Sequence, residues 1–334
     1  MEQNNHYGAL QKPIGSGFNA TSTSTEVIKG IDLSGKTAII TGGHTGIGLE
    51  TTKALAQAGA TVIVAARDVE KAKKNLEGIA RVEITSLDLM DPSQINSFAK
   101  AFLVTNRPLH LLINNAGIMW VPLRRDHRGF ESQLATNYLA MFQLTASLWP
   151  ALKNANGARV VNVSSGGHQF SDFDFNDPNF IHRPYDTLLG YGQSKTAVNL
   201  FSLAFDDRAK VHQVRSYALC PGAVGGTELA REAPLDLFQQ LGYTDAHGNI
   251  LPEVAASLKT IPQGAATTIW CATSTALADM GGVYCENVEV ADLNADIAAI
   301  GGIKPYSLHP EHANRLWQLS EEMTGISFNL DGVS

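Results

Sequence analysis

Cysteine, basic charge and long apolar runs are all scarce in this chain, and each scarcity excludes something. The three cysteines among 334 residues, Cys220, Cys271 and Cys285, lie far apart with no CxxC spacing. Neither a disulfide framework nor a zinc site is indicated, a reducing compartment is the natural reading, and no metal is expected. Lys and Arg number 25 against 32 Asp and Glu, for a net charge of −7, and no long basic run occurs. A nucleic-acid partner would require a basic stripe and is not expected. No uninterrupted apolar segment approaches the roughly 18 residues of a membrane span. The first thirty residues lack a charged start and an apolar stretch, so no secretory signal is expected and cytoplasmic placement follows. Asn19-Ala-Thr21 fits a glycosylation sequon, read as chance without such a signal. With 44% hydrophobic and 17% charged residues, the composition is that of a globular protein.

What the sequence does contain is a rhythm. Short β-branched runs at 37–40, 60–66, 81–87, 109–113, 158–164 and 214–220 read as strands, with gaps long enough for helices. Runs apolar throughout belong to strands covered on both faces. Repeated βα units of this kind predict a doubly wound α/β fold with a mostly parallel sheet flanked by helices. The simplest division is an N-terminal extension over 1–33, partly extended or mobile with a Ser/Thr-rich stretch at 20–25, and one Rossmann-type domain over 34–334. Two stretches break the rhythm: an insertion at 166–190, and a long connection at 223–262 that reads as a lid.

"TGGHTGIG" (41–48) follows the first strand and precedes a helix. Its glycines permit a tight turn and let backbone approach a phosphate, while the helix N-terminus supplies N–H groups and a favourable dipole. The expected cofactor contacts here are Gly42, His44, Thr45, Gly46, Ile47 and Gly48; His44 either helps bind phosphate or faces water. The second strand ends in Ala66 and Arg67. An acidic residue there would bind a ribose 2′-hydroxyl, whereas arginine accommodates a 2′-phosphate, so NADP(H) is favoured over NAD. Asp88 and Leu89 end the third strand, where a side chain could meet adenine. "NNAG" (114–117) ends the fourth, where asparagine amides either tie neighbouring strands or, with Asn115, Ala116 and Gly117, touch cofactor. Downstream, "YGQSK" places Tyr191 and Lys195 four residues apart, on one side of a helix. An ammonium beside a phenol favours the phenolate.

The ordered set "TGGHTGIG", "NNAG" and "YGQSK" resembles the short-chain dehydrogenase/reductase superfamily, over most of the chain from about Asp32 to beyond Tyr284. The leader "STSTEVIKGIDLSGKTAIITGG", the "AARD" turn and "VNVSSGGH" are similar to its retinol-dehydrogenase-like branch, which also includes a chloroplast translocon-associated type. The resemblance implies a Rossmann-type enzyme that reduces carbonyls or oxidises alcohols with NADP(H). It implies Tyr191 as acid–base, Lys195 as the partner that lowers its pKa, Ser165 orienting the substrate oxygen and Asn137 holding a relay water. "PGAVGGT" resembles the family's turn over the nicotinamide, adding Pro221, Gly222, Val224 and Thr227 to the cofactor contacts, although Thr227 arrives one residue late.

A free phenol has a pKa of about 10, and lowering it by three units requires about 4 kcal/mol of preference for phenolate. Lys195 and the positive ring of an oxidised nicotinamide could together supply that. The expected pocket walls are Met119, Trp120, His168, Phe170, Leu229, Leu235 and Phe238, which suggest a small apolar carbonyl or alcohol substrate. His168 and His182 read as polar loop residues rather than catalytic groups. A homodimer or homotetramer is open, with the 166–190 insertion leaving a monomer open too. Two rival readings remain: an NADP(H)-sensing scaffold with little turnover, and C=C reduction on the same scaffold.

Overall fold

The computed structural model describes residues 4–296 and 301–330. Eight strands form one sheet: β1 (Thr37–Thr41), β2 (Thr61–Ala66), β3 (Val82–Ser86), β4 (Leu111–Asn114), β5 (Arg159–Val163), β6 (Arg215–Cys220), β7 (Val283–Glu286) and β8 (Glu289–Val290). Their order is β3-β2-β1-β4-β5-β6-β7-β8. Every pairing is parallel except β7 with β8. The strand order reverses between β1 and β4, and in such sheets ligands bind beyond the strand C-termini at that crevice.

The helices are α1 (Ser24–Ile28), α2 (Gly46–Gln57), α3 (Val69–Asn75), α4 (Pro92–Val104), α5 (Ser132–Leu134), α6 (Ala140–Ser147), α7 (Trp149–Lys153), α8 (Thr187–Ala209), α9 (Leu235–Gln240), α10 (Pro252–Ser257), α11 (Ile261–Thr273) and α12 (Pro310–Thr324). They cover both faces of the sheet. One core packs Ile39, Leu112 and Val160 against α4, α6, α8 and α12; the other packs Ile40, Val64 and Leu219 against α2 and α11. Burial on both faces is why these strands read as continuous apolar runs.

The helix α8 is buried along nearly its whole length, from Gly190 to Asp206. The sheet covers one side, and α12 covers another through Phe201 stacked on Trp317 and Arg208 over the same indole. Asp186 starts α8 by accepting the N–H groups of Leu188 and Leu189. Tyr191 and Lys195 therefore project from a rigid, internal element.

Residues 4–33, expected as a partly extended or mobile leader, lie against the domain. The Asn5 amide donates to Gly282 O at 3.0 Å, and Gln11 Nε2 donates to the carbonyls of Tyr284 (2.7 Å) and Ala291 (2.6 Å). The helix α1, capped by a Thr23–Glu26 box, packs on α2 and α11. Side chains of this strap thus meet β7 and the residue that follows β8.

Candidate active site

The chain turns out of β1 through Gly42 and Gly46, whose φ values of 67° and 51° are the left-handed conformation that glycine adopts freely. A side chain on Gly48 would collide with the Gly42 carbonyl oxygen and stand 2.6 Å from Asn115 Nδ2. Thr45 precedes α2 without making a side-chain capping bond, so no side chain caps the N–H groups of the first turn. A glycine cradle before an uncapped twelve-residue helix fits a diphosphate. Thr227, despite its shifted spacing, reaches this turn: a Cβ on Gly46 would stand 3.5 Å from its methyl. Val224 lies against Gly264 and bridges Lys259, while Gly222, at φ 89°, sits beneath the Lys259 side chain.

The "NNAG" asparagines do tie strands. Asn114 donates to Asn162 Oδ1 at 2.8 Å, bridging β4 and β5, and Asn115 Nδ2 donates to Thr41 O at 3.0 Å. Thr41 Oγ1 returns the favour by accepting the N–H groups of Asn115 and Ala116. Asp88 accepts the Met90 N–H, and Leu89 packs against the core. Arg67 is exposed just beyond β2. His44 is half-buried: its carbonyl accepts from Asn75 Nδ2 at 3.0 Å, while ring Nδ1 is buried without a hydrogen-bond partner. Burial, aided by Lys71, holds its pKa below the usual histidine range.

Tyr191, Lys195 and Ser165 converge at the C-terminal ends of β5 and β6. Ser165 follows β5, accepts the Gly167 N–H at 2.9 Å and, beside the Tyr191 phenol, eases its ionisation. Ser164 points elsewhere, donating to Lys195 O on α8. Lys195 Nζ donates to Val163 O at 2.9 Å and lies 5.7 Å from the centre of the Tyr191 ring. Tyr185, six residues before Tyr191, is committed to Val121 O and Glu131.

Burial pushes the Tyr191 phenol well above its ordinary value, partly offset by Ser165, and Cys220 adds to the rise. The Lys195 ammonium is held on the Val163 carbonyl beside the ring. Burial also pulls Lys195 down, to about 8.

Asn137 sits in a π-helical turn, Ala135–Leu139, between α5 and α6. Its Oδ1 accepts from Ile118 N at 2.8 Å, and its Nδ2 donates to Ile118 O and Ser194 Oγ at 3.0 Å. The side chain thus clamps the turn after "NNAG" onto α8. π-Turns of this kind are frequent at functional sites. Ser194, which also donates to Tyr191 O, was not singled out in the sequence, nor was Gly167. A Cβ on Gly167 would stand 2.5 Å from Tyr191 Cε1. Gly167→Ala is therefore expected to push the phenol aside and lower kcat by about a hundredfold, as misplacements near 1 Å do. Steady-state turnover beside an unchanged melting curve checks it.

The substrate side departs from expectation at several positions. His168 is fully buried, not a pocket wall: its Nδ1 meets Ser165 O at 2.8 Å and its Nε2 accepts from Lys304 N. Burial holds its pKa near 4, so it is neutral and structural. Phe170 (42% exposed) and Leu229 (37%) lie at the surface. Met119 is half-buried. Trp120 is buried at φ 56° and packs edge-on to Phe238 and stacked on Tyr243, which seats the 223–262 segment against the turn after "NNAG". Leu235 opens α9, and its side chain lies outside the described residues. A surface groove lined by Asn96, Ala99, Lys100, Leu103, Val104 and Ser147 shares no residue with this site; converging chemistry, rather than concavity, marks the site.

The sheet order, glycine cradle and Tyr–Lys–Ser cluster are those of a Rossmann-type oxidoreductase. A match to the short chain dehydrogenase family spans residues 36–237. The chain is 41% identical over 295 residues to a Streptomyces lividans protein named "Probable oxidoreductase", covering 86% of this chain and 97% of that one. It is 34% identical over 302 residues to human retinol dehydrogenase 12, covering 89% and 88%. Among solved structures, an uncharacterised Mycobacterium paratuberculosis protein superimposes with a TM-score of 0.69 at 30% identity, covering 91% and 98%. A Pseudomonas aeruginosa RhlG/NADP complex superimposes at 0.58 and 23% identity, covering 76% and 95%, a likeness of fold. The chain belongs to the short-chain dehydrogenase/reductase family of oxidoreductases. Among the described residues no helix is long and apolar enough to cross a membrane.

Proposed function

We propose that this protein is an NADP(H)-dependent carbonyl reductase or alcohol dehydrogenase, acting on a small, apolar carbonyl or its alcohol. The observation that carries the reading is the buried Tyr191 side chain, with Ser165 beside it and a buried Lys195 flanking its ring. The glycine turn, from Gly42 to Gly48, would hold the cofactor diphosphate and Arg67 a 2′-phosphate. Asp88 and Leu89 would border the adenine, and Asn115, Ala116, Gly117, Pro221, Gly222, Val224 and Thr227 the rest of the dinucleotide. The neighbour alike in fold, solved as a RhlG/NADP complex, supports NADP(H) as the cofactor. Bound there, the nicotinamide supplies or accepts hydride at C4.

The chain's own part is proton transfer and orientation. Ser165 Oγ aligns the substrate oxygen, and the Tyr191 hydroxyl gives that oxygen its proton during reduction. A phenol held neutral by burial is in the correct form to donate. The phenolate left behind requires a cation nearby, which Lys195 provides while protonated. The rate of reduction is therefore expected to be level below neutrality and to fall as pH rises through about 8, where Lys195 loses its charge. A pH profile of kcat/KM checks it; a level profile to pH 10 would contradict the role of Lys195.

The reading as a whole is tested with a panel of aldehydes, ketones, enones and secondary alcohols, monitored with NADPH and NADH in parallel. Carbonyl turnover preferring NADPH is expected. Equal efficiency with both cofactors removes the Arg67 argument, saturated-bond products favour C=C reduction, and binding without any turnover favours a sensing scaffold. Cytoplasmic residence belongs to this proposal. So does a monomer, supported by the α8 face being covered by the chain's own α12 and Phe328.

A further inference from the structure

The 223–262 segment touches the cofactor side of the molecule through charge as well as packing. Lys71 Nζ, on the first turn of α3, lies 2.7 Å from both carboxylate oxygens of Glu228, 157 residues away in sequence. Glu228 follows Thr227, which rests on Gly46 of the glycine turn. The same helix reaches that turn from the other side, through Asn75 donating to His44 O. His44, with its buried and unpartnered ring nitrogen, senses the charges of Lys71, Asp68 and Glu228. A cationic corner thus sits beside the end of β2 and the glycine turn, and a carboxylate from a distant loop occupies it.

We propose that Glu228 is a built-in competitor for the 2′-phosphate of the cofactor: it neutralises Lys71 in the free protein and is displaced from it when a 2′-phosphorylated dinucleotide binds. Lys71 is then a specificity-determining residue beside Arg67, and Glu228 couples phosphate recognition to release of the 227–232 stretch. The inference rests on the NADP(H) reading above. Charge favours the exchange. A phosphate monoester carries about −1.5 to −2 and three acceptor oxygens, whereas Glu228 offers −1 and two. The Lys71 and Glu228 side chains are 38% and 48% exposed, so the pair is screened and weak enough to yield. A second pair, Arg124 with Glu232 at 2.7 Å, keeps the stretch tethered to the turn after "NNAG" while Glu228 lets go.

Calorimetric titration of wild type, Glu228→Gln, Lys71→Gln and the double variant with adenosine 2′,5′-bisphosphate, 5′-AMP, NADPH and NADH tests this without turnover. Glu228→Gln is expected to bind the bisphosphate and NADPH about three- to tenfold more tightly, with 5′-AMP and NADH unchanged. Lys71→Gln is expected to weaken the two 2′-phosphorylated ligands by a similar factor and to make Glu228→Gln silent in the double variant. Melting curves check that each variant folds. NADPH binding preserved with no selective change in either variant overturns the inference and leaves the cofactor reading intact. Failure of wild type to bind either dinucleotide overturns both.

Discussion

Tyr191→Phe is expected to lower kcat for carbonyl reduction by about 10²- to 10⁴-fold, the ordinary contribution of a positioned acid, while leaving NADPH affinity unchanged. Phenylalanine fills the same slot between Gly167 and α8, so the ring stays packed and only the proton donor is lost. Ser165 keeps its bond to Gly167 N, which preserves the turn. Steady-state kinetics and calorimetric NADPH binding, run on one preparation, separate the two effects. Turnover equal to wild type would remove Tyr191 from the mechanism. Loss of both binding and turnover would mean that the hydroxyl shapes the site rather than acting in it.

The second large effect is expected at Lys195, and it has two signs. Lys195→Met removes the cation that stabilises the developing phenolate, and kcat should fall by about two orders of magnitude or more. Stability should move the other way. Lys195 is 4% exposed and its pKa falls from an ordinary 10.5 to about 8. The folded state therefore binds fewer protons than the unfolded chain between those two values. Its contribution to stability rises with pH across that window, and the full penalty of burying the charge is present below about pH 8. At about 1.36 kcal/mol per unit, that penalty is on the order of 3 kcal/mol. The methionine variant, of similar length and without charge, should melt a few degrees higher at pH 7, the gap narrowing toward pH 10, although the bond to Val163 O is lost. A variant that is both inactive and less stable at pH 7 would show that the ammonium's bond outweighs its burial.

Much of the sheet was legible because parallel strands buried on both faces leave continuous β-branched runs, as Thr37–Thr41 and Thr61–Ala66 do. The last two strands were not: β8 is two residues, too short for a pattern, and Val283–Glu286, though as long as β4, stands beside it without a βα unit to follow. The resemblance placed Tyr191, Lys195 and Ser165 in their roles, and the structure brings the three together. What the sequence hid is long-range. The Asn5 and Gln11 side chains look like solvated polar residues until their partners, 277 and 273 positions away, are seen. His168 looked like a pocket wall because nothing near it in sequence reveals Lys304, whose N–H it accepts. The Lys71–Glu228 pair is hidden for the same reason. At Tyr191, spacing predicts that Lys195 is near, but it cannot predict that Val163 O holds the ammonium or that burial raises the phenol.

A structure of the protein with NADP⁺ and an alcohol product bears most directly on the whole account. It should show the alcohol oxygen within hydrogen-bonding distance of both Tyr191 and Ser165 hydroxyls, with its carbon against the nicotinamide C4. An alcohol oxygen held by other groups, away from both hydroxyls, would contradict it.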